Sequence, residues 1–396
     1  MSTDPASGPL SGIRVLDLSS YIAGPYGCAL LADLGAEVTK IEPPAGDGLR
    51  HYPSTLEAES RAFLGVNRSK RGIVLDLKQA DGLAALLRLA GKADVLVHNF
   101  RPGVPARLGI EYEKLRALNP RLIYCSLSGY GESGPMKDRA GYDQVLQCFT
   151  GICTFQGAGT GQPEIVLGSV VDFHAASLIA YGVSAALFHR ERTGEGQHVA
   201  LSLLGAALDM QSGRFVKAAG EGPGTDRDLR SGGITGIHPA KTGEIYISAN
   251  TPHFWRSLCT LIGLPELAEN TNYDTVRKRA LRAAEIVAVV RDALKSRTAP
   301  EWEAIFGDQV PCCAVRDLEE MFDHPQVLSE ELVATVDHAR AGKYRGLRKP
   351  LKFSAAAGPE PYGAPALGQH TNEVLAGIGY AAKELADLRR REVIGG

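Results

Sequence analysis

Charge of one sign is what this chain lacks most plainly. Its 43 lysines and arginines nearly cancel 45 aspartates and glutamates, leaving a net charge of −2. Nothing in that balance points to a general nucleic-acid or membrane-surface binder. Cysteine is sparse and unpatterned: seven in 396 residues, without a C-x-x-C pair. Cys312 and Cys313 are adjacent, poor spacing for a structural zinc site, so no metal centre is expected. An odd cysteine count without a framework fits a reducing cytosol and a cytoplasmic protein. Residues 1–10 are polar and lack the apolar core of a secretory signal. No run of about 18 apolar residues stands out, so no membrane span is expected. Neither G-x-G-x-x-G nor a P-loop occurs, which removes the usual dinucleotide and nucleoside-triphosphate fingerprints. There is no internal repeat and no low-complexity segment.

What remains is ordinary for a globular protein: 44% hydrophobic and 22% charged residues. The length suits two or three domains. The first 130 residues alternate strand and helix patterns. Strands are predicted over 13–18, 37–41, 73–77, 94–97 and 122–127, and helices over 25–34, 83–90 and 112–118. Such alternation predicts a mostly parallel α/β sheet with helices on both faces. Ligands in these folds gather at loops beyond the carboxyl ends of the strands.

Those loops carry amides and cations. Residues 19–27 read SSYIAGPYG, 67–71 read NRSKR, and 98–103 read HNFRPG, with Lys78 and Arg107 nearby. Basic groups on several strand-end loops suit a phosphorylated ligand, and Phe100 offers a face to a planar base. For each cation alone, a solvated surface position is the competing reading.

Asp172 lies between an apolar run, 165–171, and apolar residues at helical spacing: Phe173, Leu178, Ile179, Val183, Ala186 and Leu187. A helix should begin there. One reading makes Asp172 an N-cap contributing about 1 kcal/mol. The other makes it a nucleophile. The helix dipole would keep its carboxylate ionised, an activated carbonyl would give an anhydride, and nearby N–H groups would hold the oxyanion.

Beyond residue 204 the pattern changes. The chain reads as a large domain over 1–210, a Gly-rich linker over 211–236 and a smaller α+β domain over 237–323. Residues 324–396 then form a linker and a return to the large domain. Within the smaller domain one long helix is predicted over 276–294. In the last stretch strands are predicted over 333–353 and a helix over 371–391.

Several motifs together carry a resemblance. They are LSGIRVLD (10–17), AGP (23–25), LGAEVTKIE (34–42), NRSKR (67–71), NFRPG (99–103) and RTGEGQ (192–197). The chain resembles family III CoA-transferases, the group of formyl-CoA and carnitine-CoA transferases, with the related 2-methylacyl-CoA racemases. The match runs over nearly the whole length. The resemblance implies a Rossmann-like large domain, a small domain and two chains interlocked as a homodimer. It implies a catalytic Asp172, with active-site contacts at Tyr142 and Asp143. It implies CoA contacts at Tyr21, Ile22, Leu75, Lys78, Asn99, Phe100, Arg107 and Leu108.

Arg68, Lys70 and Arg71 are expected to add phosphate contacts. Some members carry a basic residue where Pro43 stands, and others a lysine at the place of Ala140, which Arg139 would replace. Formyl-CoA transferases have glutamine at the place of Ile22 and four glycines in the small-domain loop, which here reads SGGITG around Gly232 and Gly233. Oxalate chemistry is therefore not expected, and a larger or less polar acid is. CoA is a substrate, and no further cofactor is implied. The expected partners are an acyl-CoA, a carboxylic acid and a second copy of the chain, with neither nucleic acid nor membrane. Racemases place a histidine where Tyr142 stands, and an unperturbed phenol, with a pKa of about 10, suits that acid–base role poorly. Racemization and CoA binding without turnover are the alternatives to transfer.

Overall fold

A computed structural model of the protein describes residues 8–222 and 234–396. The described chain divides into two compact units, residues 8–212 with 325–396, and residues 213–222 with 234–324. The first unit opens with β1 (Arg14–Asp17), α1 (Ala23–Asp33), β2 (Glu37–Glu42), α2 (Arg61–Val66), β3 (Lys70–Leu75) and α3 (Ala80–Ala90). It continues through β4 (Val95–His98), α4 (Val104–Leu108), α5 (Tyr112–Leu118) and β5 (Ile123–Ser128). Then follow α6 (Asp143–Thr150), α7 (Ile152–Gln156), α8 (Val170–Thr193), β6 (His198–Ser202) and α9 (Leu203–Asp209). Six of these were not anticipated: the helices α2, α4, α6, α7 and α9 and the strand β6. Three of the helices, α2, α4 and α7, are only six, five and five residues long, too short for a 3.6-residue period to register.

The second unit holds β7 (Gly236–Pro239), β8 (Glu244–Ile247), α10 (Pro252–Leu261), α11 (Pro265–Glu269), α12 (Val276–Leu281), α13 (Ala283–Leu294), α14 (Ala299–Phe306) and β9 (Cys312–Ala314). Its antiparallel sheet, in the order β7-β8-β9, backs a core of Trp255, Leu258, Ile286, Val290, Trp302 and Phe306. The single helix expected over 276–294 is two. Arg279 turns inward and donates to the carbonyls of Tyr273 and Asn250, each at 2.7 Å. The backbone breaks three residues later, at Arg282 (φ −120°, ψ 24°).

The chain re-enters the first unit with α15 (Pro325–Ser329), the hairpin β10 (Val333–His338) and β11 (Gly342–Leu347), then α16 (Thr371–Ala376), α17 (Ala382–Arg390) and β12 (Ile394–Gly395). The strands expected over 333–353 are this antiparallel hairpin, six residues to a strand, which ends at Leu347. The helix expected over 371–391 divides between Gly377 and Gly379, the latter at φ +96°.

Seven strands make the central sheet in the order β12-β3-β2-β1-β4-β5-β6. All pairings are parallel except β12 with β3. From β3 to β6 this is the strand order of a doubly wound sheet, with the order reversing between β1 and β4. Strands β3, β4 and β5 are buried on both faces, which explains their apolar runs without alternation. One face is covered by α1 and α8, the other by α3, α5, α16 and α17. Helix α8 buries Val171, Ala175, Ile179, Val183 and Leu187, four residues apart along one stripe. Each large apolar side chain there contributes about 1.5–3 kcal/mol. Gly27 lets α1 approach, since a Cβ there would come within 2.9 Å of Ile179.

Helix α8 also corrects one expectation. Its 24 residues include a window of mean hydropathy 1.5, long and apolar enough to cross a membrane by length and composition. Its inner stripe is instead core. Its outer stripe leaves Phe173, Tyr181 and Phe188 exposed.

Candidate active site

The reversal of strand order brings two loops together beyond the carboxyl ends of β1 and β4. The amide of Asn99 ties them: it accepts the Ser20 N–H at 3.0 Å and donates to the Ser20 carbonyl at 2.7 Å. The next residue, Tyr21, sits in the left-handed region at φ +65°. That conformation is costly for a residue with a Cβ, and its N–H is held by Asp47 Oδ1 at 3.0 Å. Asp47 also pairs with the buried Lys40 at 2.9 Å, and Lys40 donates to the Ser19 carbonyl at 3.0 Å. A buried ionic network therefore fixes the first loop from below.

Above these loops opens a cavity lined by Tyr21, Ile22, Asn99, Phe100, Arg139, Tyr142 and Asp172, together with Ser20, Arg101, Lys137 and Ser128. The rings of Tyr21 and Tyr142 meet edge to face at 6.1 Å. Lys137 was not singled out in the sequence. It shares the loop after β5 with Arg139, and the same strand-end reasoning applied to that loop would have found it.

Asp172 is not an N-cap. Helix α8 begins at Val170, its N-cap is Ser169 in the left-handed region, and Ser169 makes no side-chain cap bond. Asp172 is the third helical residue. The cap comes from another helix: Asp143 Oδ2 accepts the N–H groups of Val171 at 2.6 Å and Asp172 at 3.0 Å. Asp143 is 2% exposed, and its Oδ1 accepts from Gln147 at 2.5 Å. Gln147 in turn donates to the Val166 carbonyl and accepts the Val166 N–H, both at 2.9 Å. Asp143 therefore holds the start of the helix and is not among the residues that line the cavity.

Two further expectations fall with this geometry. The first-turn N–H groups of residues 171 and 172 are taken by Asp143 and cannot hold an oxyanion. Nor is Asp172 kept ionised by the helix dipole. Burial, and then the neighbouring Asp143 carboxylate, push its carboxyl up to about 7, against the dipole's smaller opposing pull.

The basic segment before β3 is also corrected. Arg68 is buried and bonded to Asp33 at 3.1 and 2.6 Å. Lys70 is fully buried, with bonds to Asp17 (2.8 Å), the Pro25 carbonyl (2.7 Å) and Asn67 (2.8 Å). All three Lys70 donors are taken, and the Arg68 guanidinium is held inward by Asp33 and the Gly65 carbonyl. Burial would raise the Asp17 carboxyl, but Lys70 and Lys40 outweigh it and hold that group at about 2. Arg71 stands at the amino end of β3, beside Glu37 and Glu373, and does not line this cavity. The Leu75 side chain is core. Lys78 and Arg107 are exposed in the segments following β3 and β4, and Leu108 packs partly against the core; none of the three lines the cavity. Gly232 and Gly233 lie outside the described residues.

A second cavity backs onto Phe100, lined by His98, Tyr112, Tyr124, Ser126, Glu132 and His198. Ser126 Oγ donates to Glu132 at 2.6 Å and meets His198 Nε2 at 2.8 Å. The same nitrogen faces Glu132 at 3.5 Å, so the carboxylate does not orient the far side of the imidazole as a serine–histidine relay requires.

Known proteins agree with this architecture. The pattern of CoA-transferase family III matches residues 10–371. The succinyl-CoA:glutarate CoA-transferase of Mus musculus is 33% identical over 376 residues, covering 93% of this chain and 86% of that protein. The formyl-CoA:oxalate CoA-transferase of Streptomyces coelicolor is 32% identical, covering 97% and 99%. Among solved structures, a CAIB/BAIF family protein from Brucella suis superimposes with a TM-score of 0.83 at 28% identity, covering 94% of this chain and all of that one. Rv3272 from M. tuberculosis gives 0.80 at 32%, covering 93% and 99%. With the sequence pattern, the relatives and the sheet in agreement over nearly its full length, the chain belongs to the family III CoA-transferases.

Proposed function

We propose that the enzyme moves CoA from an acyl-CoA thioester to a free carboxylic acid through Asp172. The observation that carries this reading is the placement of Asp172 on the rigid first turn of α8, in the cavity at the switch point of the sheet. Its carboxylate attacks the thioester carbonyl, giving an aspartyl–acyl anhydride and CoA thiolate. The thiolate attacks the aspartyl carbonyl, releasing the first acid and leaving aspartyl–CoA. The acceptor carboxylate then attacks aspartyl–CoA, forming a new anhydride and thiolate. The thiolate finally takes the acceptor's acyl group and frees Asp172. Covalent relay of this kind keeps the thioester's energy throughout.

Arg101, Lys137 and Arg139 give the cavity wall three cations, suited to an incoming carboxylate and to the developing oxyanion, since the N–H groups of Val171 and Asp172 are occupied. Ile22, Tyr21 and Tyr142 supply an apolar and aromatic surround. We take the acceptor to be an acid larger than oxalate, of the size of glutarate, which a relative's name carries. Racemization fits less well. It needs two opposed acid–base groups, and among the described lining residues Asp172 is the only carboxylate.

CoA itself would extend from the cavity toward Lys78 and Arg107. The second copy would cover the outer stripe of α8, where Phe173, Tyr181 and Phe188 are exposed, in an interlocked homodimer in the cytoplasm. Sedimentation tests the assembly: a folded, active monomer at nanomolar concentration overturns it.

Asp172→Ala tests the mechanism. Transfer should be abolished while CoA still binds, and the wild type incubated with acyl-CoA should yield a CoA adduct on Asp172. Appreciable turnover in the variant would sink the assignment.

A further inference from the structure

Helix α6 carries a second chemistry besides Asp143. Cys148, exposed on α6, and Cys153, buried on α7, have sulfurs 3.4 Å apart. Gly151 between them takes φ +85°, which turns the chain back and lets the two side chains face each other. A disulfide needs sulfurs about 2.05 Å apart, so closure asks for little more than about 1 Å of approach.

The pair is coupled to the candidate site through a short path. Cys148 follows Gln147, whose amide holds both Asp143 and Val166. Asp143 in turn holds the first turn of α8. Cys148 is the sixth of the eight residues of α6, and a shift there is passed to its first residue, Asp143, through the hydrogen-bonded turns between them.

We propose that Cys148 and Cys153 form a reversible disulfide on exposure to a hydroperoxide, and that its closure slows CoA transfer by displacing Asp143. The second half rests on the transferase mechanism above. In the first step the exposed Cys148 sulfur attacks a peroxide oxygen and the O–O bond breaks. With hydrogen peroxide this gives a sulfenic acid and one water. Cys153 sulfur then attacks Cys148 sulfur, the S–O bond breaks, and a second water leaves with the remaining thiol proton. Two thiols lose two electrons and two protons, and one peroxide is reduced to two waters.

The experiment treats the full-length protein with equimolar hydrogen peroxide, maps the peptides without reduction, and measures transfer. The expected result is a Cys148–Cys153 linked peptide, a fall in rate of about tenfold as expected for a displaced reacting group, and recovery of both with dithiothreitol. Cys148→Ser, which alters an exposed side chain, should keep its rate under the same treatment. Absence of the linked peptide overturns the disulfide. A linked peptide with an unchanged rate, or an equal loss in Cys148→Ser, overturns the coupling. Failure of the transferase reading is separate: the reduced protein would show no transfer before any peroxide is added.

Discussion

Asp143 and Asp172 stand on different helices, 29 residues apart in sequence, yet Asp143 Oδ2 accepts the backbone N–H of Asp172 at 3.0 Å. One carboxylate thus fixes the main chain of the other while its charge raises the other's carboxyl to about 7, with burial the larger cause. A nucleophilic carboxylate with a raised pKa binds protons more tightly, which goes with greater basicity once it is ionised.

The rate should therefore follow the ionised fraction of Asp172. Transfer measured as kcat/KM should rise with pH and level off above a midpoint of about 7. Asp143→Asn keeps an oxygen for the helix N–H groups but removes the charge, so the midpoint should move down while remaining above the ordinary 3.8 because burial persists. A pH profile that does not move would rule out Asp143 as a cause and leave it a purely mechanical cap.

Stability should carry the opposite signature. Because the folded carboxyl binds protons more tightly than an unfolded one, Asp172 lowers stability progressively as pH rises from about 4 to about 7. Asp172→Asn should accordingly melt several degrees higher than the wild type at pH 8. The gap should close toward pH 4, and thermal melts across that range check it.

The cations should separate into two classes. Charge-assisted bonds to phosphate contribute about 1.5–3 kcal/mol each, so Arg107→Ala should weaken CoA binding about tenfold or more. Arg68→Ala should instead destabilise the fold by about 3–5 kcal/mol, because it leaves Asp33 buried without its partner. Calorimetry for affinity and denaturant melts for stability distinguish them. A large affinity loss in a stable Arg68→Ala protein would return the ligand to the 67–71 segment.

Asn99 should matter through the loop it ties. Asn99→Ala leaves the Ser20 N–H and carbonyl without their partner, at a cost of about 1–3 kcal/mol. KM for acyl-CoA should rise more than kcat falls, since the change loosens the mouth of the cavity and leaves Asp172 in place. Steady-state kinetics give that split, and an equal loss in both parameters would speak against it.

Asp172 marks the boundary between what is legible in sequence and what is not. Its neighbourhood in sequence announces a helix start after an apolar run, because helical periodicity and cap residues are local signals. The alternation of strands and helices in the first 130 residues likewise announces a parallel sheet, and the motifs announce the family. Local signals also misled: a helix start suggested a cap and an ionised carboxylate, where the structure has a third-position residue raised toward 7. The cap arrives from residue 143, and no local pattern records a bond across 29 positions.

The cations divide in the same way. Sequence placed Arg68, Lys70, Arg71, Lys78 and Arg107 near strands and supplied their charge. Only the fold decided that Arg68 and Lys70 point inward to Asp33 and Asp17, that Arg71 stands at the amino end of its strand, and that Lys78 and Arg107 stay exposed. Composition and periodicity determined which elements form, because backbone propensity and amphipathic spacing act within a turn or two of chain. Which charges are buried, which carboxylate is protonated and which loops meet were decided by tertiary packing, because desolvation and Coulomb interaction depend on distance in space.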